Sequence, residues 1–355
     1  MTEVPVPRDI PLPLPAPEPI LVGVLVVFFL MHIVFVNLMV GGAFLTLWYE
    51  LRGLKDKRFD RLAYAIAATI TANKSIAVVL GVGPLLAINT IYTVYFYTAN
   101  ALTGAFWMSV IPLVTIAFVL TYVHKYQWNR MKAYKKTHIF VAFIVCLIFM
   151  IVPLIFLTNV NLMLFPERWE TVRGFFSALT LPNVFPRYAH FLLACPAMTG
   201  LFLVWLFRRA SQSDIDEIGF DRSDLVRKGY QWAFWPTAAQ FVVGPIVLLT
   251  LPKIQEPIRL VHGVFGFAIL LSLTMAHLMF AETRRSAEEI GRSFVPICLL
   301  MILVVSLMGT GRHLYREAAI TPHRELVRVK TEEYMREVEK AKREAEENSS
   351  ENSER

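Results

Sequence analysis

Apolar residues in this chain come in blocks of twenty or more, broken by short charged stretches. The blocks cover about residues 20–49, 62–92, 104–124, 138–163, 188–207, 229–252, 258–281 and 293–313. A helix needs roughly 20 apolar residues to cross the hydrocarbon of a bilayer. These runs are continuous, without the period-two alternation of a lipid-facing strand. The pattern therefore predicts an all-α, polytopic membrane protein with about eight transmembrane helices. They are expected to form two four-helix bundles, over 20–164 and 186–315. Pro112, Pro153, Pro196, Pro236 and Pro245 fall inside these spans, where neighbouring helices satisfy the carbonyls that proline frees.

The flanks differ in kind. Residues 1–19 carry proline at every second or third position, which reads as an extended surface segment. The basic start and cleavage site of a signal peptide are not seen ahead of the first block, so that block is expected to be a permanent span. Residues 316–355 are charged and of mixed sign, rich in Glu, Lys, Arg and Ala. They predict a solvated helical tail.

Composition narrows the class further. Of 355 residues, 55% are hydrophobic and 18% charged, which excludes an ordinary soluble enzyme and a disordered chain. Cys146, Cys195 and Cys298 form no Cys-x-x-Cys pair, so no disulfide framework, thiolate zinc site or covalent haem attachment is encoded. The net charge of +7 belongs to loops, not to a nucleic-acid surface. The loops after spans one, three, five and seven hold eighteen basic residues, and the opposite side without the tail holds five. The positive-inside rule then puts both termini outside, which is periplasmic for a bacterial inner membrane.

Candidate chemistry lies in the ionisable residues within the spans, which are costly there unless paired. Arg187-Tyr188-Ala189-His190 opens span five and Arg259-Leu260-Val261-His262 opens span seven. Both spans start on the outer side, so the two histidines share a depth about one turn inside the membrane. Each arginine stands one turn nearer water on the same face. Two imidazoles can hold a haem iron while guanidinium groups meet the propionates. An interfacial histidine bonded to a carbonyl is the alternative at each position. His32 lies deep in span one and reads as a haem ligand or a cross-helix hydrogen-bonding residue. Gly41, Gly42 and Ala43 allow close approach of a helix or a macrocycle. His277 lies fifteen residues after His262 on a similar face. It could support a second haem with His124 or His138, which otherwise read as interfacial histidines among basic residues. Arg312 is placed to neutralise a propionate, with His313 beside it as a further ligand candidate. Lys74 is basic and deep in span two, and either snorkels or meets a carboxylate.

These residues resemble subunit I of the cytochrome bd-type quinol oxidases. The run His32-Ile33-Val34-Phe35-Val36-Asn37-Leu38-Met39-Val40-Gly41-Gly42-Ala43-Phe44-Leu45, followed by Glu50, is similar to the family's first helix, whose histidine ligates a haem of the oxygen-reducing pair. Tyr188-Ala189-His190 resembles the start of the helix bearing an axial ligand of the low-spin b haem. Leu260 to Phe267 resembles the helix bearing the second ligand, with His262 where the family has methionine. Gly311-Arg312-His313 resembles the family's Gly-Arg-Gln-Pro-Trp segment. The resemblance spans most of residues 20–318 and implies haem b and quinol as cofactor and substrate. It also implies other membrane subunits of a respiratory complex as partners.

The chain departs from that pattern in three places. The third-helix stretch Trp107–Phe118 and the stretch Ile302–Ser306 lack the family's glutamates, which argues against oxygen reduction. The long quinol loop is cut to Leu251–Pro257, where Lys253 and Glu256 are candidates for quinol contact. The expected function is therefore a membrane b-type cytochrome subunit, part of an oxidoreductase. It would oxidise quinol and pass electrons to a periplasmic c-type cytochrome. A terminal oxidase with a rearranged haem site, and a haem-free scaffold or proton-path subunit, are the alternatives. No nucleic-acid partner is expected.

Overall fold

The structure, a computed structural model, describes residues 6–7, 13–252, 254 and 259–353. Twelve α-helices and no strand occur among the described residues. In chain order they are α1 (Glu18–Gly53), α2 (Lys57–Ile91), α3 (Thr93–Thr103), α4 (Ala105–Met108), α5 (Val110–Tyr126) and α6 (Lys135–Leu162). There follow α7 (Phe175–Leu179), α8 (Val184–Arg209), α9 (Gln212–Ile218), α10 (Arg222–Leu249), α11 (Arg259–Arg284) and α12 (Phe294–Ser353).

Seven helices are long and apolar enough to cross a membrane, and eight if the bent pair Ser75–Ile91 and Thr93–Thr103 counts as one. The chain is thus a multi-pass membrane protein. Its outer surface agrees: Val79, Ile111 and Leu249 are 71%, 73% and 84% exposed, a solvation that suits lipid and not water. The second block ends where the chain turns by 109°, at Tyr92, and a further helix, α3, follows before the third block. Tyr92 ends α2 outside helical geometry and is itself almost fully buried. The eighth block differs from a plain span. The helix runs on through Pro322 for 60 residues, so the last span and the charged tail are one rod.

α1 packs on α2, α8, α6 and α12, and α5 lies against α2 and α6. α8 packs on α10, α10 on α11 and α11 on α12. Because lipid gives no hydrophobic drive between helices, these contacts depend on small residues and buried polar bonds. A Cβ on Gly200 would stand 2.6 Å from the Gly229 carbonyl oxygen, and one on Gly229 2.9 Å from that of Gly200. Only hydrogen at both positions lets α8 and α10 cross so closely. The Gly41–Gly42–Ala43 patch is buried, and a Cβ on Gly41 would meet the Cys195 carbonyl of α8. That patch therefore receives a helix. At the start of α2, Asp56 accepts from Arg58 N at 2.9 Å. The side-chain bond from the Arg58 guanidinium, together with that backbone bond, holds the Asp56 carboxyl below the usual range.

Candidate functional site

Two polar groups of the span residues lie at opposite ends of α1. The first surrounds Arg187 and Arg312. Asn183, at positive φ, precedes α8 and fixes its start by donating to the Val247 carbonyl at 2.7 Å and to Thr250 Oγ1 at 2.8 Å. Arg187 and His190 then fall in the first two turns of α8, and the His190 carbonyl accepts from Gln240 of α10 at 3.1 Å. From α12, Arg312 reaches to 5.3 Å over the Phe29 ring of α1, and Arg316 lies 5.3 Å over Tyr92. Arg187, Arg312 and Arg316 are close enough to repel one another. Among the described residues, no carboxylate comes within ion-pair distance of Arg187 or Arg312. Arg187 Nη1, His190 Nδ1 and His313 Nδ1 are buried without a hydrogen-bond partner. Buried donors of this kind are seldom left orphaned. The arrangement fits a bound anionic group that also presents a metal to imidazole.

The other candidates fall around this cluster unevenly. His32 shares a face with Phe29, one turn further along α1, and its Nδ1 donates to the Ala77 carbonyl of α2 at 2.7 Å. That is the cross-helix bond, and it leaves Nε2 as the nitrogen able to bind iron. Arg259 and His262 lie exposed on the first turns of α11. α8 and α11 share no extensive contact, since α10 packs against both. His277 is exposed further along α11. Lys253, Glu256 and the Lys74 side chain lie outside the described residues.

The second group was hidden in the sequence. His124 and His138 are buried between helices, and the contacts they make are with Glu50 and each other and not with His277. They stack on each other at 4.1 Å and 24°, and both bind the carboxylate of Glu50. Glu50 and His138 are 0% exposed and His124 is 5% exposed. Lys135 Nζ bridges Glu50 at 2.7 Å and Asp60 at 2.6 Å. Sequence reasoning also missed Arg316 as a third arginine of the first cluster. Its place one turn after Arg312 on α12 was the available signal.

No protein-family model matches the chain, and no curated protein matches it. Among solved structures, the fold is similar to that of bd oxidase from Geobacillus thermodenitrificans, with a TM-score of 0.68 at 12% identity. The match covers 85% of this chain and 87% of that one. At that identity the likeness is one of fold: a polytopic helical architecture of the bd oxidase type.

Proposed function

We propose that the chain is a membrane b-type cytochrome subunit of a respiratory electron-transfer complex, related to subunit I of the bd-type quinol oxidases. The observation that carries this reading is the unpartnered Arg187–Arg312 pair beside the orphaned imidazole nitrogens of His190 and His313. Like charges buried together without a counter-ion are costly, and haem propionates are dianionic partners of the right kind. The fold likeness to an oxidase of the bd type points the same way.

Haem b, when bound, supplies a one-electron carrier. The chain's own residues do the rest. Arg187 and Arg312 would hold the carboxylates, with Arg259 as a third donor from α11. His190 of α8 and His262 of α11 would offer imidazoles to the haem iron. His32 would offer Nε2 to a second haem, its ring oriented by the Ala77 carbonyl. Lys253 and Glu256 stand between α10 and α11 in sequence, where they would contact quinol and release its protons. Electrons would leave to a periplasmic c-type cytochrome.

Purified protein should show a reduced b-type α-band. His190→Ala and His262→Ala should each remove one low-spin haem, and Arg312→Gln should lower haem occupancy without abolishing it. A wild-type preparation without b-type absorbance would overturn the reading.

A further inference from the structure

The Glu50–His124–His138 group sits at the far end of α1 from the arginine cluster, and the haem reading does not use it. Its hydrogen positions are constrained. His138 Nε2 lies 2.8 Å from the His124 carbonyl, which can only accept, so Nε2 carries a proton. The other nitrogen, Nδ1, then faces Glu50 Oε1. That oxygen also accepts from Lys135 at 2.7 Å, which favours its ionised form. An imidazole lone pair and a carboxylate oxygen repel at contact unless a cation lies between them. On the other side of the carboxylate, His124 Nε2 is 2.8 Å from Oε2. One ligand atom from each of the three residues lies within 4.8 Å of the others.

Three further features bear on what that cation is. The bond from His138 to a backbone carbonyl is the outer-shell contact by which metal-binding histidines are fixed in one tautomer. A cavity of about 20 Å³ adjoins His124, lined also by Thr121 and Thr46. Thr46 Oγ1 is buried there with no partner, so a void otherwise walled mainly by alanine and valine has room for one water and a hydroxyl to hold it. Lys135 does not depend on Glu50 alone, because Asp60 holds it at 2.6 Å.

We propose that Glu50, His124 and His138 form a binding site for a first-row divalent cation, for which zinc is the probe. Two imidazole nitrogens and one carboxylate oxygen suit zinc and its neighbours, whereas calcium and magnesium prefer oxygen alone. A three-residue zinc site takes water as its fourth ligand, and the void that His124 shares with Thr46 has room for one. Bonds of about 2.0–2.1 Å set tetrahedral ligands roughly 3.3 Å apart, so the His124 ring needs to open from 2.8 Å by about half an ångström, and the His138 ring by more. The site does not rest on the haem reading.

The test uses the full-length protein, purified in detergent without a polyhistidine tag. Elemental analysis should find about one zinc or other first-row divalent ion per chain. Titration of stripped protein with Co²⁺ should raise visible d–d bands at one equivalent. His124→Ala and His138→Ala should weaken zinc binding by more than about 100-fold, beyond what loss of an outer-shell partner causes. Lys135→Met should retain it. Wild-type protein with no stoichiometric metal and no Co²⁺ bands would overturn the proposal and make the shared cation a proton. So would Co²⁺ binding unchanged in both histidine variants. If the variants do not fold, the wild-type titration alone decides.

Discussion

A histidine surrounded by apolar helix surface needs an acceptor, and His32 takes one from the α2 backbone. The fit is close: a Cβ on Gly81 would stand 2.7 Å from His32 Cε1 and 3.0 Å from Nδ1. Gly81→Ala should therefore push the ring off the Ala77 carbonyl, at a cost of about 1 kcal/mol for the lost bond. Thermal unfolding in detergent should show a midpoint a few degrees lower, with less cofactor at His32. Gly266→Ala, where a Cβ meets nothing within 4 Å, should leave both unchanged. Equal effects at the two positions would mean that Gly81 does not position the ring. The two residue clusters differ in how far the sequence exposes them. Arg187 and His190 are three apart on one helix, so their shared face can be read directly. Glu50, His124 and His138 sit on three helices, the histidines 74 and 88 positions after the glutamate. No helical period links them. What the sequence does carry is their common depth, one acid and two imidazoles at the same end of three spans, and only packing turns that into a contact.

At the scale of elements, the blocks of apolar residues predict existence and order well, because crossing lipid leaves a helix few alternatives. They do not predict where a helix turns or continues. The bend at Tyr92 falls at the end of the second block, where a tertiary contact holds it: Tyr92 is buried and its hydroxyl donates to Glu317 on α12. The same contact explains why α12 runs past the membrane. Ile320, His323, Val327 and Thr331 are buried at helical spacing, with His323 Nδ1 3.1 Å from the Tyr95 hydroxyl. Beyond them the rod is held by exposed ion pairs such as Arg343–Glu339 at 3.0 Å, each contributing little. Truncation after Met335 should leave the unfolding midpoint in place. Truncation after Tyr315 should lower it, since it uncovers Tyr92, Tyr95 and Trp169. Equal midpoints would show that the tail does not brace α3. The crossing of α8 and α10 makes a sharper demand. Gly229→Leu places a side chain against the Gly200 carbonyl and Val204, which overpacks the contact by about 1–3 kcal/mol or more. It should also carry Asn183 and His190 away from α10. Haem content measured by spectrum should then fall together with stability. Full haem occupancy in that variant would separate the crossing from the arginine site.

For the molecule as a whole, the basic residues that set the expected orientation also bind helix termini at one end. Arg61 donates to the Ile218 carbonyl at 3.1 Å, tying α2 to α9. Arg222 donates to the Phe207 and Ala210 carbonyls, both at 2.8 Å, at the end of α8. Arg227 donates to the Thr283 and Arg285 carbonyls at 2.6 and 2.8 Å, at the end of α11. Basic residues at this end thus satisfy helix C-terminal carbonyls, where the helix dipole favours a cation, and they carry the excess charge that the positive-inside rule assigns to the cytoplasm. The opposite end gathers the start of α1, the arginine cluster and the tail, as the Arg312–Phe29 contact requires. In a Cys298→Ser background, the remaining cysteines Cys146 and Cys195 are buried, so single reporter cysteines can be read cleanly. Glu344→Cys should react with a membrane-impermeant maleimide in cells with a permeabilised outer membrane. Ser213→Cys, in the first turn of α9, should react only after lysis. The reverse pattern would put the arginine cluster on the cytoplasmic side. It would then bar a periplasmic acceptor even if every haem ligand were correctly assigned, because the electron would emerge at the wrong face of the membrane.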